Sequence, residues 1–125
     1  MHANCILLFE KYVKPLLRSE MGILEIGPDA FPSTFQRLSE SVSVARWDTL
    51  DINDNPNLTY RKSDEYRFKV KSDSYDVVLS GQVIEHVKKP WVWLPELARV
   101  TKPGGVVVTI CPVRPRLSFC ARSGS

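Results

Sequence analysis

Near the start of the chain, Phe9, Tyr12, Val13, Leu16 and Leu17 recur at helical spacing, with Lys11, Lys14 and Arg18 between them. That pattern predicts an N-terminal helix within residues 1–20, interrupted or divided by Pro15. The period then changes. Gly22–Ile26 (GILEI) is a short apolar run closed by Gly27 and Pro28, the pattern of a buried strand entering a turn. Residues 33–38 predict a short helix with Ser33 or Asp29 as its cap. Strand formers dominate residues 43–50, and a brief strand is expected at 58–62, after the loop NDNPN. Residues 75–80 (YDVVLS) make the clearest strand of all. Helical spacing returns in Pro90–Val100, where Pro90 suits a first turn. KPGG stops that helix, and 105–111 reads as another continuous apolar strand.

Apolar strands alternating with helical patterns predict an α/β fold, a doubly wound and mainly parallel sheet of about five strands. The strands at 22–26 and 75–80 are expected side by side at its centre. Residues 1–112 form the domain, with 1–20 the N-terminal helix and 22–112 the core. Residues 113–125 carry no strand pattern in this reading and are expected as a polar tail. The fifth strand would then end the sheet with an open, β-prone edge that invites self-association.

The chain has 125 residues, 43% hydrophobic and 25% charged, ordinary values for one globular domain. A net charge of +3, spread among acids, gives no electrostatic case for nucleic acid or an anionic membrane. The apolar run at the N-terminus is too short for a signal-peptide core or a membrane span. Cys5, Cys111 and Cys120 are odd in number and far apart, which argues against zinc and for reduced thiols in a cytoplasmic protein.

In a doubly wound sheet, ligands bind beyond the carboxyl ends of the strands. Gly27, Asp51, Asp64 and the pair Ser80-Gly81 each follow a predicted strand and should meet on that edge. Gly27 allows close approach to backbone. A pyrophosphate would call for G-x-G-x-x-G, and here Glu25 and Asp29 would repel it. That counts against a nicotinamide-dependent oxidoreductase. A cationic ligand with a ribose suits these acids better, and S-adenosylmethionine has both features. Asp48 competes with Asp51 for the ribose. His86 titrates near neutrality in its unperturbed state, but its place at the start of a predicted helix favours a structural role. Trp91 and Trp93 read as packing residues, and Lys88 and Lys89 as a solvated face.

LEIGPD, the acids in TLDI and KSDEY, and above all residues 73–112 (DSYDVVLSGQVIEHVKKPWVWLPELARVTKPGGVVVTICP) resemble the class I S-adenosylmethionine-dependent methyltransferases, specifically the type 11 methyltransferase domain. The resemblance runs from about residue 22 to 112. It implies a Rossmann-like fold and S-adenosylmethionine as cofactor, with Glu25 and Gly27 at its methionine part. It places Asp51 at the ribose hydroxyls, Asp64 at the adenine amino group, and Ser80, Gly81 and Gln82 beside the adenosine and methyl group. It names no catalytic base and no acceptor. Two departures stand out: Pro28 and Asp29 occupy positions where the family has a further glycine, and the C-terminal antiparallel hairpin is expected to be missing. Two functions therefore remain open: a methyltransferase domain with an unidentified acceptor, or a non-catalytic fragment acting as a binding or interaction module.

Overall fold

The computed structural model describes residues 3–113 and 116–123, with side chains through Cys111. Helix α1 (Ala3–Leu8) runs into a π turn at Phe9–Val13 and a 3-10 turn at Lys14–Leu16, where Pro15 ends the helical segment. Strand β1 is Gly22–Ile26, and helix α2 is Thr34–Leu38. Both expected caps are used. Ser33 Oγ accepts from the Gln36 amide at 3.0 Å, and Asp29 accepts from the Thr34 amide at 2.9 Å. Strands β2 (Arg46–Leu50) and β3 (Tyr75–Gly81) follow, then helix α3 (Pro90–Val100), β4 (Thr101–Val113) and β5 (Arg116–Ser123).

These strands form one sheet in the order β2-β1-β3-β4-β5. The first four are mutually parallel, and β5 is antiparallel to β4. As expected, β1 and β3 are neighbours within the sheet. Alternate strand residues feed two cores. Leu24, Ile26, Val78 and Val107 pack with Trp93, Leu97 and Val100 of α3, while Ile23, Val77, Leu79, Val108 and Ile110 pack beneath Cys5, Phe9, Val13 and Phe35. Burial on both faces is why these strands read as unbroken apolar runs. The start of β4, residues 102–105, fits against β3 because Gly105 lacks a side chain: a Cβ there would lie 2.6 Å from the Asp76 carbonyl oxygen.

Three expectations need correction. Residues 58–62 are not a strand and contribute a single parallel bridge, Leu50 to Tyr60. The reason is local: the Thr49 and Thr59 hydroxyls accept each other's backbone amides, at 3.2 and 3.1 Å, in place of ladder bonds. The second correction concerns the polar tail expected, without a strand, at 113–125. Residues 116–123 pair along β4 from Val106 to Val113. The unpaired amides and carbonyls of β4 supply the template, and the sequence Arg116-Leu117-Ser118-Phe119 does alternate, a signal hidden by its basic and polar content. The edge of β4 is thus covered. Arg114, Pro115, Gly124 and Ser125 of that tail, like Met1 and His2, lie outside the described residues. Finally, His86 sits in a 3-10 turn, Ile84–His86, separate from α3.

Candidate functional site

The carboxyl ends of β1, β2 and β3 open into one cavity of about 330 Å³. Gly27 enters from the β1 turn, Asp51 from the end of β2, and Gln82 from the end of β3. Each is fixed by backbone bonding. The Gly27 amide donates to the Leu50 carbonyl at 2.8 Å, locking the first turn to β2. The Asp51 carboxylate accepts from the Asn53 amide at 3.2 Å, and its carbonyl accepts from the Ser63 amide at 2.9 Å. The Gln82 amide donates to the Ile110 carbonyl at 2.8 Å, and Gln82 takes a left-handed φ of 59° that turns the chain off the sheet. Gly27 has φ 65°, and a Cβ on it would lie 2.7 Å from a Val83 methyl carbon, so only glycine fits there without strain.

The remaining walls are apolar or acidic. Ile26, Leu50, Phe68, Val83, Val87 and Trp93 supply the apolar surface, and Glu65 adds a second carboxylate beside Asp51. Among the described residues, no lysine or arginine lines this cavity. His86 lies at its rim, its side chain 80% exposed and 3.8 Å from Glu85.

The other expected site residues fall elsewhere. Ser80 and Gly81 are buried in β3 behind the cavity, and Ser80 pairs in register with Ile26 of its wall. Among the described residues, the Ser80 hydroxyl is the one buried side-chain polar atom with no hydrogen-bond partner. Glu25 shares the parity of Ile23 and points into the opposite core. There it is 1% exposed, with Oε1 accepting from Ser33 Oγ at 2.5 Å and from the Trp47 indole at 3.1 Å. Burial pushes this carboxyl up to about 7, against the lowering effect of its two donors. Asp64 faces away too: its Oδ1 accepts from the Tyr66 and Arg67 amides at 2.9 and 3.0 Å. Asp29 also serves local structure. Burial opposes its charge, but the Thr34 hydroxyl and amide outweigh that and hold its carboxyl below the usual value.

Asp48, the competitor for the ribose role, is committed in the middle of β2. It lies 2.8 Å from the Arg46 guanidinium and accepts from the Tyr75 hydroxyl at 2.6 Å. Trp93 is buried as expected, but Trp91 is 71% exposed and does not pack. Glu65 is the residue that the sequence signal misses. Adjacent acids in SDEY differ only in register, and without a strand at 58–62 nothing in the pattern fixes that register.

Comparison with known proteins agrees with this fold. The model of the type 11 methyltransferase domain family matches residues 29–109. An uncharacterized methyltransferase of Mycolicibacterium vanbaalenii is 32% identical over 88 residues, 66% of this chain and 34% of that protein. The chain spans between 13% and 34% of the lengths of the curated mycobacterial methyltransferases it matches. Among solved structures, the YcgJ protein of Bacillus subtilis superposes with a TM-score of 0.69 at 20% identity, covering 91% of this chain and 54% of that one. An S-adenosylmethionine-dependent methyltransferase of Aquifex aeolicus gives 0.62 at 19% identity, covering 82% and 62%. Both share the fold, and S-adenosylmethionine is the family's cofactor. With its model matched over most of the sequence and its Rossmann-like sheet in place, the chain belongs to the type 11 methyltransferase domain family.

Proposed function

We propose that this chain is the cofactor-binding core of an S-adenosylmethionine-dependent methyltransferase, and that the cavity at the ends of β1, β2 and β3 holds the cofactor. The observation that carries this is the convergence of Gly27, Asp51 and Gln82, from three different strand ends, on one cavity that no described lysine or arginine lines. Hydrogen-bond acceptors set among apolar walls suit a ligand with hydroxyls, an amine and net positive charge. They suit a dinucleotide pyrophosphate poorly. The buried, unpartnered Ser80 hydroxyl directly behind the wall is a further polar group fitted to such a ligand's neighbourhood.

When bound, S-adenosylmethionine supplies an activated methyl group for in-line displacement by the acceptor's nucleophile. The chain's own residues bind and orient. Asp51 accepts from the ribose hydroxyls, and the Gly27 turn admits the methionine part against bare backbone. Glu65 takes the role expected of Asp64, accepting from the adenine amino group. Phe68, Trp93, Val83 and Val87 exclude water and hold the rings, so that alignment is the protein's contribution. Exposed His86 at the rim lies where an acceptor would enter, and no residue is assigned as a base. The acceptor itself is unidentified.

Calorimetric titration with S-adenosylmethionine and with a nicotinamide dinucleotide tests this. Saturable binding of the first and none of the second is expected. Asp51→Ala should weaken binding by about 1.5–3 kcal/mol, as loss of a charge-assisted bond does, and Asp48→Ala should cost much less. Equal losses at the two positions, or a preference for the dinucleotide, would overturn the assignment.

A further inference from the structure

A second cavity, of about 300 Å³, lies on the other side of the Asp64-Glu65 peptide: Asp64 lines it, while Glu65 lines the first. Its chemistry is the reverse of the first cavity's. Arg61, Lys62, Arg67 and Lys69 converge on it within nine residues, with the hydroxyls of Thr59 and Ser63 between them. Among the described residues the acid lining it is Asp64, which has an oxygen committed to the loop's own amides. Arg61 is held in a two-pronged pair by Asp54, Nε at 2.8 Å and Nη2 at 2.9 Å, which orients the fork and leaves its other N–H groups available. Lys62, Arg67 and Lys69 form no ion pair among the described residues.

The strip that carries these cations is anchored. Phe68 and Val70 are buried in the α3 core, so Arg67 and Lys69, which alternate with them, are turned outward. Glu96 accepts from the Phe68 amide at 2.7 Å, and Arg99 donates to the Phe68 and Val70 carbonyls at 3.0 Å each. Like charges held this close repel, and an anion placed among them relieves that repulsion. We propose that residues 59–69 form a binding site for the phosphate group of a small phosphomonoester, beside the cofactor cavity and separate from it. Guanidinium and ammonium donors on an anchored strip, with hydroxyls between them, match a compact dianion. Confinement to one cavity, on a chain of net charge +3, favours a small ligand over a polymer.

The test is titration of the full chain with glycerol 3-phosphate in about 150 mM sodium chloride, followed by amide chemical shifts. Saturable shifts centred on residues 59–69 are expected, with affinity falling about tenfold or more in the doubly substituted Arg67→Gln, Lys69→Gln chain. Both side chains are exposed and outside the first cavity, so that variant's amide spectrum away from residues 59–69 should match the parent's and report an intact fold. Inorganic phosphate should compete, and equimolar sodium sulfate should compete less well. Three outcomes would overturn the proposal: no saturation, unchanged affinity in a correctly folded variant, or tighter binding of an oligonucleotide that grows with its length. The last would mark a general polyanion surface instead.

Discussion

Glu25 is the residue whose environment departs most from what its place in the sequence suggests. An acid next to the first glycine turn reads as a ligand group, yet parity sends it into the core beneath α1 and α2. Its raised pKa has a definite consequence for stability. The folded state favours the protonated carboxyl, so the advantage is complete below the unfolded value of 4.5 and is lost as pH rises to about 7. Stability should therefore fall by roughly 3 kcal/mol across that interval and then level off. Urea unfolding at pH 5 and pH 8 measures this, and Glu25→Gln should flatten the profile and be the more stable chain at pH 8. A parent chain whose Glu25-linked stability rises over the same interval would contradict the assignment. Gly27 carries a second residue-scale expectation. With φ 65° and Val83 directly in the way, Gly27→Ala should cost about 1–3 kcal/mol of stability, read by the same unfolding assay. The strand ends already pointed to Gly27 and Asp51, and the family resemblance added Gln82. Glu65 was not legible, since its selection over Asp64 depends on a turn that no periodicity encodes.

At the level of elements, long apolar runs and capped helices were readable, and their ranges match the structure closely for β1, β3 and α3. What failed was the segment 58–72, whose shape is set by side chains reaching from elsewhere. Arg99 and Glu96 project from α3, pair with each other at 2.8 Å, and bond the backbone of Phe68 and Val70. No local pattern in residues 66–72 announces partners some thirty positions away. This clamp also positions the wall of the first cavity, because Phe68 belongs to both. Arg99→Ala should therefore lower stability by about 1–3 kcal/mol and leave buried backbone carbonyls at Phe68 and Val70 unpartnered. Hydrogen exchange should show the Phe68 amide losing protection, while amides of β1 and β3 keep theirs. Equal loss across the whole sheet would show that Arg99 supports the global fold and not this segment.

For the whole molecule, the decisive feature is how the sheet ends. The apolar run of β4 is flanked by β3 on one side, and without β5 its other side would present a row of unpaired amides and carbonyls. The sequence pattern predicted that open edge, and with it a tendency to self-associate. The antiparallel pairing of Arg116–Ser123 along Val106 to Val113 removes the premise, since eight residue pairs now close that edge. The reversal carries its own test. A chain ending at residue 113 recreates the uncovered edge while keeping every described residue of both cores and both cavities. It should melt about 5 °C or more below the full chain and elute from size exclusion as larger species that grow with concentration. Its cofactor affinity, measured on whatever monomer persists at low concentration, should stay close to the parent's. If the shortened chain instead remains monomeric with an unchanged melting temperature, β5 contributes nothing to closing the sheet, and the edge of β4 must be protected by the apolar cover of the two cores alone.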